Sequence, residues 1–504
     1  MRILGLSFGF HDAGACMLNG NEIEFASHSE RYSKVKNDPW LNHELINAAL
    51  EKGKPDVIAL HEKAWAKKLR NLTARNWSAL KEPTQREWIE KFYPQLKDIP
   101  IVDYWHHETH AAAGVLTSEY EDCAVMVIDA IGEFDTASIW HATPHGMKKI
   151  WSLKYPSSLG LFYSAITHRC GLKPNEEEYI LMGMSAYGDP DRYYEQMKPL
   201  LEKNLHRGCR WWLPGEQGQQ DTFDMAAAAQ KIYEEEFEEL VYKTRKMLPH
   251  NKSLVIMGGC ALNCVANNIA LKYFDDVWIM PAPGDSGSSL GAILAETETH
   301  INWRGPYLGH NIEGDYPVGK LMNELLQGNM VGVANGRAEF GPRALGNRSL
   351  LADPRGTKVK DQVNAIKRRQ EFRPFAPAIL SEFAEEYFDG ITNPYMQYVS
   401  KAKHEYNSVI HVDGTSRVQT VEPDNPSILR PILEEYYEKT GVPMLLNTSL
   451  NLAGEPLVNT KEEACELLNN SKLDAIYFVD DRKILYRKNI KITLHMEFSL
   501  RTSN

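Results

Sequence analysis

Short apolar runs that end in small-residue turns recur along the chain. Arg2 to Ser7 is one, closed by a Gly- and His-containing turn, Phe8 to Gly14. Residues 15 to 27 read as a strand pair around Asn19-Gly20, a strong two-residue hairpin signal. The arrangement returns later: Ala124 to Ile128 is a buried-strand run, Asp129 to Asp135 an acidic Gly-containing turn, and Thr136 to His141 a resumed strand. Between the copies, residues 39 to 51 and 62 to 95 carry helical, polar-faced patterns. The clearest amphipathic helix is predicted over 223 to 247, with Met225, Ala229, Ile232, Phe237, Leu240 and Val241 near one stripe. Ser253 to Met257 then reads as a buried strand entering Gly258-Gly259, and Val277 to Met280 as another entering Pro281-Ala282-Pro283-Gly284-Asp285. A helix pattern follows each turn, so backbone N–H groups and a helix N-terminus can face a phosphate there.

Ile301 to Gly319 breaks the pattern with Trp, Gly, Pro and Tyr, which sets two expected domains, 1–305 and 306–504. Strands over Met330 to Ala334, Ala376 to Leu380 and Ala475 to Val479, mixed with helices over Thr357 to Lys367, Ile428 to Thr440 and Lys461 to Asn469, make the second part α+β. In the first part, the two strand–turn–strand units resemble the paired phosphate loops of the actin-like ATPase fold.

Composition narrows the class. A hydrophobic fraction of 43% and a charged fraction of 24% are ordinary globular values, and 504 residues suit two or three domains. A net charge of −11 argues against a dedicated nucleic-acid binder. The seven cysteines, at 16, 123, 170, 209, 260, 264 and 465, form neither a CxxC pair nor a disulfide framework. The N-terminal MRILGLSFGF lacks the marks of a secretory signal, and no apolar run approaches the ~20 residues of a membrane span. A soluble, cytoplasmic protein is expected.

Several clusters can carry chemistry. His106 and His110 are four apart, which puts two imidazoles on one helix face. Spacing alone leaves both a metal pair and a pair of satisfied histidines open. Asp285, in a Gly/Ser turn at a strand end, is a candidate third ligand, or simply a helix N-cap. His11-Asp12 can be a base with its orienting partner, or an ordinary turn Asp beside an incidental His. The second part sets arginines in apolar, Gly/Pro-punctuated sequence: Arg337 and Arg343 in GRAEFGPRALG, Lys367 to Arg369 ahead of FRPFAP with Arg373, and Arg417 after Asp413-Gly414-Thr415. Such charges need internal carboxylates or a phosphate-bearing ligand. Asn447-Thr448-Ser449 follows the apolar run Val442 to Leu446.

In order, the chain carries SFGFHDAGA (7–15), SERYSKVKND (29–38), HHETHAAAG (106–114), IDAIGEFDTAS (128–138), MGMSAYGDP (182–190), GGCALNCVAN (258–267), PAPGDSGSSLGA (281–292), GRAEFGPRALGNRSLLADPR (336–355), FRPFAPAIL (372–380), DGTSRVQTV (413–421) and NTSLNLAGEPLV (447–458). This set closely resembles the O-carbamoyltransferases of nodulation-factor and antibiotic-tailoring pathways, the nebramycin carbamoyltransferase type. The resemblance implies an N-terminal carbamoyl-transfer domain of actin-like ATPase fold, similar to the tRNA threonylcarbamoyl transferase subunit. It also implies a carbamoyl-adenylate-forming C-terminal domain similar to threonylcarbamoyl-AMP synthase. Carbamoyl phosphate and ATP (with Mg) would give carbamoyl-adenylate and pyrophosphate, and the carbamoyl group would pass to a hydroxyl acceptor.

By position, the resemblance assigns a divalent ion of the Fe(II) kind to His106, His110 and Asp285, with Asp129 beside it. His11 matches the family's active-site histidine, with Asp12 next to it, and Lys36 the lysine that contacts the adenylate. Gly258, Gly259 and Asn263 would line the nucleotide, with Gly132, Glu133 and Gly284 of the neighbouring turns. Arg343, Arg373, Arg417 and Asn447 match the carbamoyl-phosphate cradle, with Lys367 nearby; whether Arg337 or Arg343 is the cradle arginine stays open. Two departures stand out: ILMGMSAYGDP where GKVMGLAPYG is commoner, and Cys260 where apolar residues are usual. Cys260 and Cys264, four apart, read as small buried thiols rather than a second metal pair.

The competing enzyme readings are a tRNA threonylcarbamoyl-type transferase and a thiol carbamoylator like the hydrogenase-maturation protein, whose acylphosphatase module and paired CxxC fingers are not visible here. A nucleotide-binding scaffold is the non-enzyme reading. The acceptor is expected to be a sugar or other small-molecule alcohol, with a hydroxymethylated nucleobase as a further option. No membrane or polymeric nucleic-acid partner is expected, and a twofold dimer is the default assembly.

Overall fold

The structure is a computed structural model that describes residues 1–73, 76–213, 215, 217–313, 317–471, 475–478 and 484–486. The chain divides into two units: Met1–Ser33 with Asn37–Pro306, and Tyr307–Asn504 with the short excursion Lys34–Lys36.

The first unit contains the same sheet twice. β1 (Arg2–Ser7), β2 (Gly14–Asn19), β3 (Glu22–His28), β4 (Val57–Leu60) and β5 (Ile101–Asp103) lie in the order β3-β2-β1-β4-β5. β6 (Cys123–Ile128), β7 (Asp135–Thr143), β8 (Gly146–Lys154), β9 (Ser253–Met257) and β10 (Asp276–Trp278) repeat it as β8-β7-β6-β9-β10. In each copy the first three strands form an antiparallel meander and the last two run parallel to the first. This duplicated order is the actin-like ATPase fold. All six residues of β6 are buried, as a strand covered on both faces requires.

The turns after β1 and β6 and the ends of β9 and β10 are therefore brought toward one place by topology. Two close approaches tighten that place. A methyl group added at Gly291 would lie 2.0 Å from the Thr109 carbonyl oxygen, so the helix Ser288–Thr297 seats directly on the helix His106–Thr117. Gly258 has φ +93°, and a methyl there would lie 2.1 Å from the Ile128 carbonyl oxygen. The loop after β9 thus lies against the end of β6.

The helix predicted over 223–247 spans Gln219–Met247, and five of its six stripe residues are buried, Leu240 being half-buried. The 62–95 stretch is not one helix. It breaks into Ala64–Thr73, a short 3-10 turn Trp77–Leu80, and Gln85–Phe92. Pro83 cannot continue a helix, and Thr84 with Glu87 forms a capping box that starts the next one. Gly258-Gly259 is followed by 3-10 turns, Gly259–Leu262 and Ala266–Lys272, not by an α-helix.

The second unit holds β11 (Tyr307–Ile312), β12 (Val331–Ala334), β13 (Gly336–Glu339), β14 (Arg348–Ala352), β15 (Ala376–Leu380), β16 (Phe388–Asp389), β17 (Ser400–Ala402), β18 (Thr415–Ser416), β19 (Gln419–Val421), β20 (Met444–Ser449), β21 (Ala475–Phe478) and β22 (Ile484–Tyr486). Its main sheet is seven-stranded and mixed, in the order β19-β15-β20-β14-β12-β21-β22. Helices Val318–Leu326 and Leu429–Thr440 supply Leu321, Leu325, Ile432, Leu433 and Tyr436 to its core. Val479, the last residue of the strand predicted at 475–479, lies outside the described residues. Among the described residues no helix is long and apolar enough to cross a membrane.

Candidate active site

In the first unit, the helix His106–Thr117 starts with its N-terminus against Glu133. The carboxylate accepts the backbone N–H of His106 at 3.1 Å and that of Lys63 at 2.9 Å. This places an acid where the helix dipole favours one, and fixes the first turn. His106 and His110 then point the same way, with their Nε2 atoms 3.1 Å apart. Asp129, at the end of β6, meets His106 Nε2 at 2.9 Å and His110 Nε2 at 3.5 Å. Asp285, in the turn that precedes the helix Ser288–Thr297, stands 3.3 Å and 3.4 Å from the same two atoms.

One ligand atom from each of these four buried residues lies within 4.8 Å of the others. Burial and the repulsion of Asp285 oppose ionisation of Asp129, but the imidazoles overcome both and hold it below the usual carboxylate range. Asp285 is held well below that range, because His11 and His106 outweigh its burial. His106 is raised well above the usual imidazole range and His110 is raised too, the carboxylates outweighing burial in each case.

The residues fit a divalent cation. Two imidazole nitrogens face each other, and at most one can donate to the other. The buried Oδ1 of Asp285 has no well-directed hydrogen bond. Two imidazoles with two carboxylates are a donor set that suits Fe²⁺, Zn²⁺ or Mn²⁺.

His11 lies beside this cluster. Its Nδ1 bonds Asp12 Oδ2 at 3.2 Å, and its Nε2 is 3.8 Å from Asp285 Oδ2. Asp12 has φ +50°, a left-handed conformation that Asp tolerates better than most residues. Burial lowers the His11 pKa, yet Asp285, Asp12 and Asp129 raise it further, to about 9. Two of the carboxylates responsible, Asp285 and Asp129, are the same ones that suit a cation.

The glycine turns assemble around Asp129. Gly258 donates its N–H to the Pro283 carbonyl at 2.9 Å, and Gly259 N–H points at Asp129 Oδ1 at 3.4 Å. A methyl at Gly284 would contact Gly259 Cα at 3.9 Å. Other expected nucleotide residues are engaged within the protein. Asn263 forms a paired amide contact with Gln230 at 3.1 and 3.2 Å. Gly132 N–H bonds the Asp135 carbonyl at 2.8 Å, and its own carbonyl accepts from Arg70 at 2.5 Å. Cys260 and Cys264 belong to neither of the two candidate metal groups found among the described residues.

The second of those groups, His61, Glu62 and His106, was missed by sequence reasoning. Its signal is a His-Glu pair at the exit of a central parallel strand, a position that commonly faces a cleft.

In the second unit, β15 lies between β19 and β20. Arg373 precedes β15, Arg417 precedes the parallel β19, and Asn447 pairs in register with Ala376 at the start of β15. The three therefore gather at one end of the sheet. Asn447 Nδ2 donates to Gln419 Oε1 at 2.7 Å and to the Ala344 carbonyl at 3.2 Å, which draws in the loop that carries Arg343. Arg337 instead donates to the Leu308 carbonyl at 2.6 Å. Asn447 Oδ1 and Arg417 Nε are buried without a hydrogen-bond partner.

Lys367 Nζ donates to Ser449 O at 2.6 Å and to Ser449 Oγ at 2.9 Å. Burial, then Arg369, Arg373 and Lys36, push Lys367 well below the ordinary lysine range. Lys36 thus belongs electrostatically to this unit. An arginine here can also be satisfied by the backbone alone. Arg348, fully buried, donates to the backbone carbonyls of Asn335, Gly336, Asn347, His310 and Asn459. It ties the loop 341–348 to the sheet.

Residues 2–294 match the family model "Carbamoyltransferase N-terminus", and residues 322–485 match "Carbamoyltransferase C-terminus". The nodulation protein NolO of Bradyrhizobium diazoefficiens is 32% identical over 74% of this chain and 77% of its own length. The 3'-hydroxymethylcephem-O-carbamoyltransferase of Amycolatopsis lactamdurans is 27% identical over 89% of this chain and 93% of its own. The protein sll1178 of Synechocystis is 29% identical over 94% of this chain and 95% of its own. With both halves matched in order, the chain belongs to the carbamoyltransferase family and is an enzyme that transfers carbamoyl groups.

Proposed function

We propose that the chain is an ATP-dependent O-carbamoyltransferase with two active sites. Its second unit makes carbamoyl-adenylate from carbamoyl phosphate and ATP, and its first unit passes the carbamoyl group to an alcohol. Atom balance requires one water in the first step: it cleaves the donor to phosphate and carbamate, and a carbamate oxygen then attacks the α-phosphorus of ATP and displaces pyrophosphate. The second step releases AMP.

One observation carries the reading: four buried side chains, His106, His110, Asp129 and Asp285, converge within 4.8 Å at the exit of the duplicated sheet, with His11 beside them. A divalent cation held there would supply positive charge to the adenylate phosphate and the carbamoyl oxygen. The residues do the rest. Asp12 orients His11 through Nδ1, and His11 Nε2, on the side of Asp285, is the nitrogen that in its unprotonated form would take the proton of the acceptor hydroxyl. The glycine turns at Gly259 and Gly284, which carry no side chain, let the adenylate phosphate approach the backbone closely.

In the second unit, Arg343, Arg373, Arg417 and Lys367, with Lys36, suit the donor's phosphate. The unpartnered Oδ1 of Asn447 is an acceptor that suits the N–H₂ of the carbamoyl group. A shielded adenylate is protected from hydrolysis. A need for ATP and carbamoyl phosphate supports a cytoplasmic site of action.

The acceptor we propose is a hydroxyl of a small molecule. The net charge of −11 disfavours a polyanionic one. The testing experiment is pyrophosphate release from ATP with and without carbamoyl phosphate, in the absence of acceptor. Release that depends on carbamoyl phosphate supports the adenylate step. No release from folded, metal-loaded protein would overturn it.

A further inference from the structure

β4 ends at Leu60, and the next residue, His61, is sealed into the first unit with 2% of its surface exposed. Its ring packs against that of His106, with centroids 5.4 Å apart. One ring nitrogen of His61, one of His106 and a carboxylate oxygen of Glu62 lie within 4.8 Å of one another. Nε2 of His106 is occupied by Asp129 and His110. Its other nitrogen, Nδ1, is buried without a hydrogen-bond partner, and so is Nδ1 of His61. A buried polar atom left unsatisfied costs about 1–3 kcal/mol, so two in adjacent rings call for an explanation.

A second cation between them is a poor one. Glu62 already meets the Lys67 ammonium at 2.6 Å and Gln85 Nε2 at 3.4 Å. A cation on each nitrogen of His106 would also require an imidazolate. The outer shell of the first site is the simpler account. A histidine that ligates through one nitrogen carries its proton on the other and donates it to a neighbour, which fixes the ring.

We propose that His61 is the positioning residue for His106: once His106 ligates through Nε2, its Nδ1–H turns to the adjacent Nδ1 of His61, and that bond holds His106 Nε2 toward Asp129 and Asp285. His61 is then the tautomer protonated at Nε2. The inference rests on the reading of the His/Asp cluster as a metal site.

The test is Co²⁺ titration of the full chain against a chelator of known affinity, together with the visible spectrum of bound Co²⁺ and the melting temperature of the metal-free protein. Asn places a carbonyl oxygen near the Nδ1 position, and Gln places one nearer Nε2. We expect His61→Phe to weaken Co²⁺ about 10–100-fold and to alter its spectrum. His61→Asn should stay within a few-fold of the parent, His61→Gln should resemble Phe, and Glu62→Gln should bind like the parent. Unchanged affinity in His61→Phe overturns the proposal, as does a loss reproduced by Glu62→Gln alone. Where melting shows that Phe is not accommodated, equal affinity of the Asn and Gln variants overturns it. Co²⁺ uptake that His110→Ala leaves intact would instead overturn the metal reading, and this inference with it.

Discussion

The Nε2 atoms of His106 and His110 face each other across 3.1 Å, one helical turn apart, with two carboxylates on the same side. With both rings protonated on Nδ1, as ligation through Nε2 requires, two lone pairs and two carboxylates would face the same space.

One divalent ion per chain is therefore expected by elemental mass spectrometry of the purified protein. His110→Ala and Asp285→Asn should each lose it. The asparagine keeps the carboxylate's size and removes its charge, which separates ligation from packing. Chelation should lower the melting temperature of the parent and leave that of Asp285→Asn nearly unchanged, because a ligand that binds only the folded state stabilises it by mass action.

Separable sites predict separable losses. His110→Ala should abolish carbamoyl transfer while leaving carbamoyl-phosphate-dependent pyrophosphate release near the parent rate. Arg373→Ala should lower pyrophosphate release by about 10²–10³-fold, the scale expected for removing one preorganised charge contact. Transfer from pre-formed carbamoyl-adenylate should survive in that variant. Loss of both activities in a folded His110→Ala protein would sink the two-site reading.

Much of this was legible in the residues. Apolar runs ending in small turns located β1, β6, β9 and β15, since buried strands must be apolar and their turns must be small. The HxxxH spacing marked two side chains of one helix face, and Asp285 sat in the right kind of turn. Three things were not legible. Pro83 and Thr84 split the 62–95 segment, a local capping choice that periodicity averages over. The partners of His11 lie at 129 and 285, so its raised pKa depends on charges that only folding brings near. The sequence also could not distinguish an arginine satisfied by five carbonyls, Arg348, from one whose Nε is buried without a hydrogen-bond partner, Arg417.

Gly291→Ala probes the seat of the turn that carries Asp285. Its new methyl would meet the Thr109 carbonyl oxygen at 2.0 Å, a backbone atom that cannot rotate away, so a helix has to move. Overpacking of this kind costs typically about 1–3 kcal/mol. The shift should also displace Asp285, which leads into the same helix. The expected result is a lower melting temperature with weaker metal retention. A variant with the parent's melting temperature and metal content would show that the two helices are not tightly coupled.

Lys367 gives a prediction with a sign. Folding moves its pKa well below the ordinary lysine value of 10.5, because burial and the charges of Arg369, Arg373 and Lys36 disfavour its ammonium. Between the folded value and 10.5 the unfolded chain binds more protons, so this group makes stability rise with pH across that window and penalises it below. Lys367→Met removes the titrating group, and its stability should rise less between pH 8 and 10 than the parent's, measured by chemical denaturation. Inorganic phosphate or pyrophosphate should act in the same direction on the parent. An anion among these cations stabilises the charged lysine, raises its pKa and flattens the slope while raising the melting temperature. The variant lacks that charge and should show a much smaller stabilisation by phosphate. Equal stabilisation of parent and variant would mean that the anion binds elsewhere and that the cationic cluster around Lys367 serves only the fold.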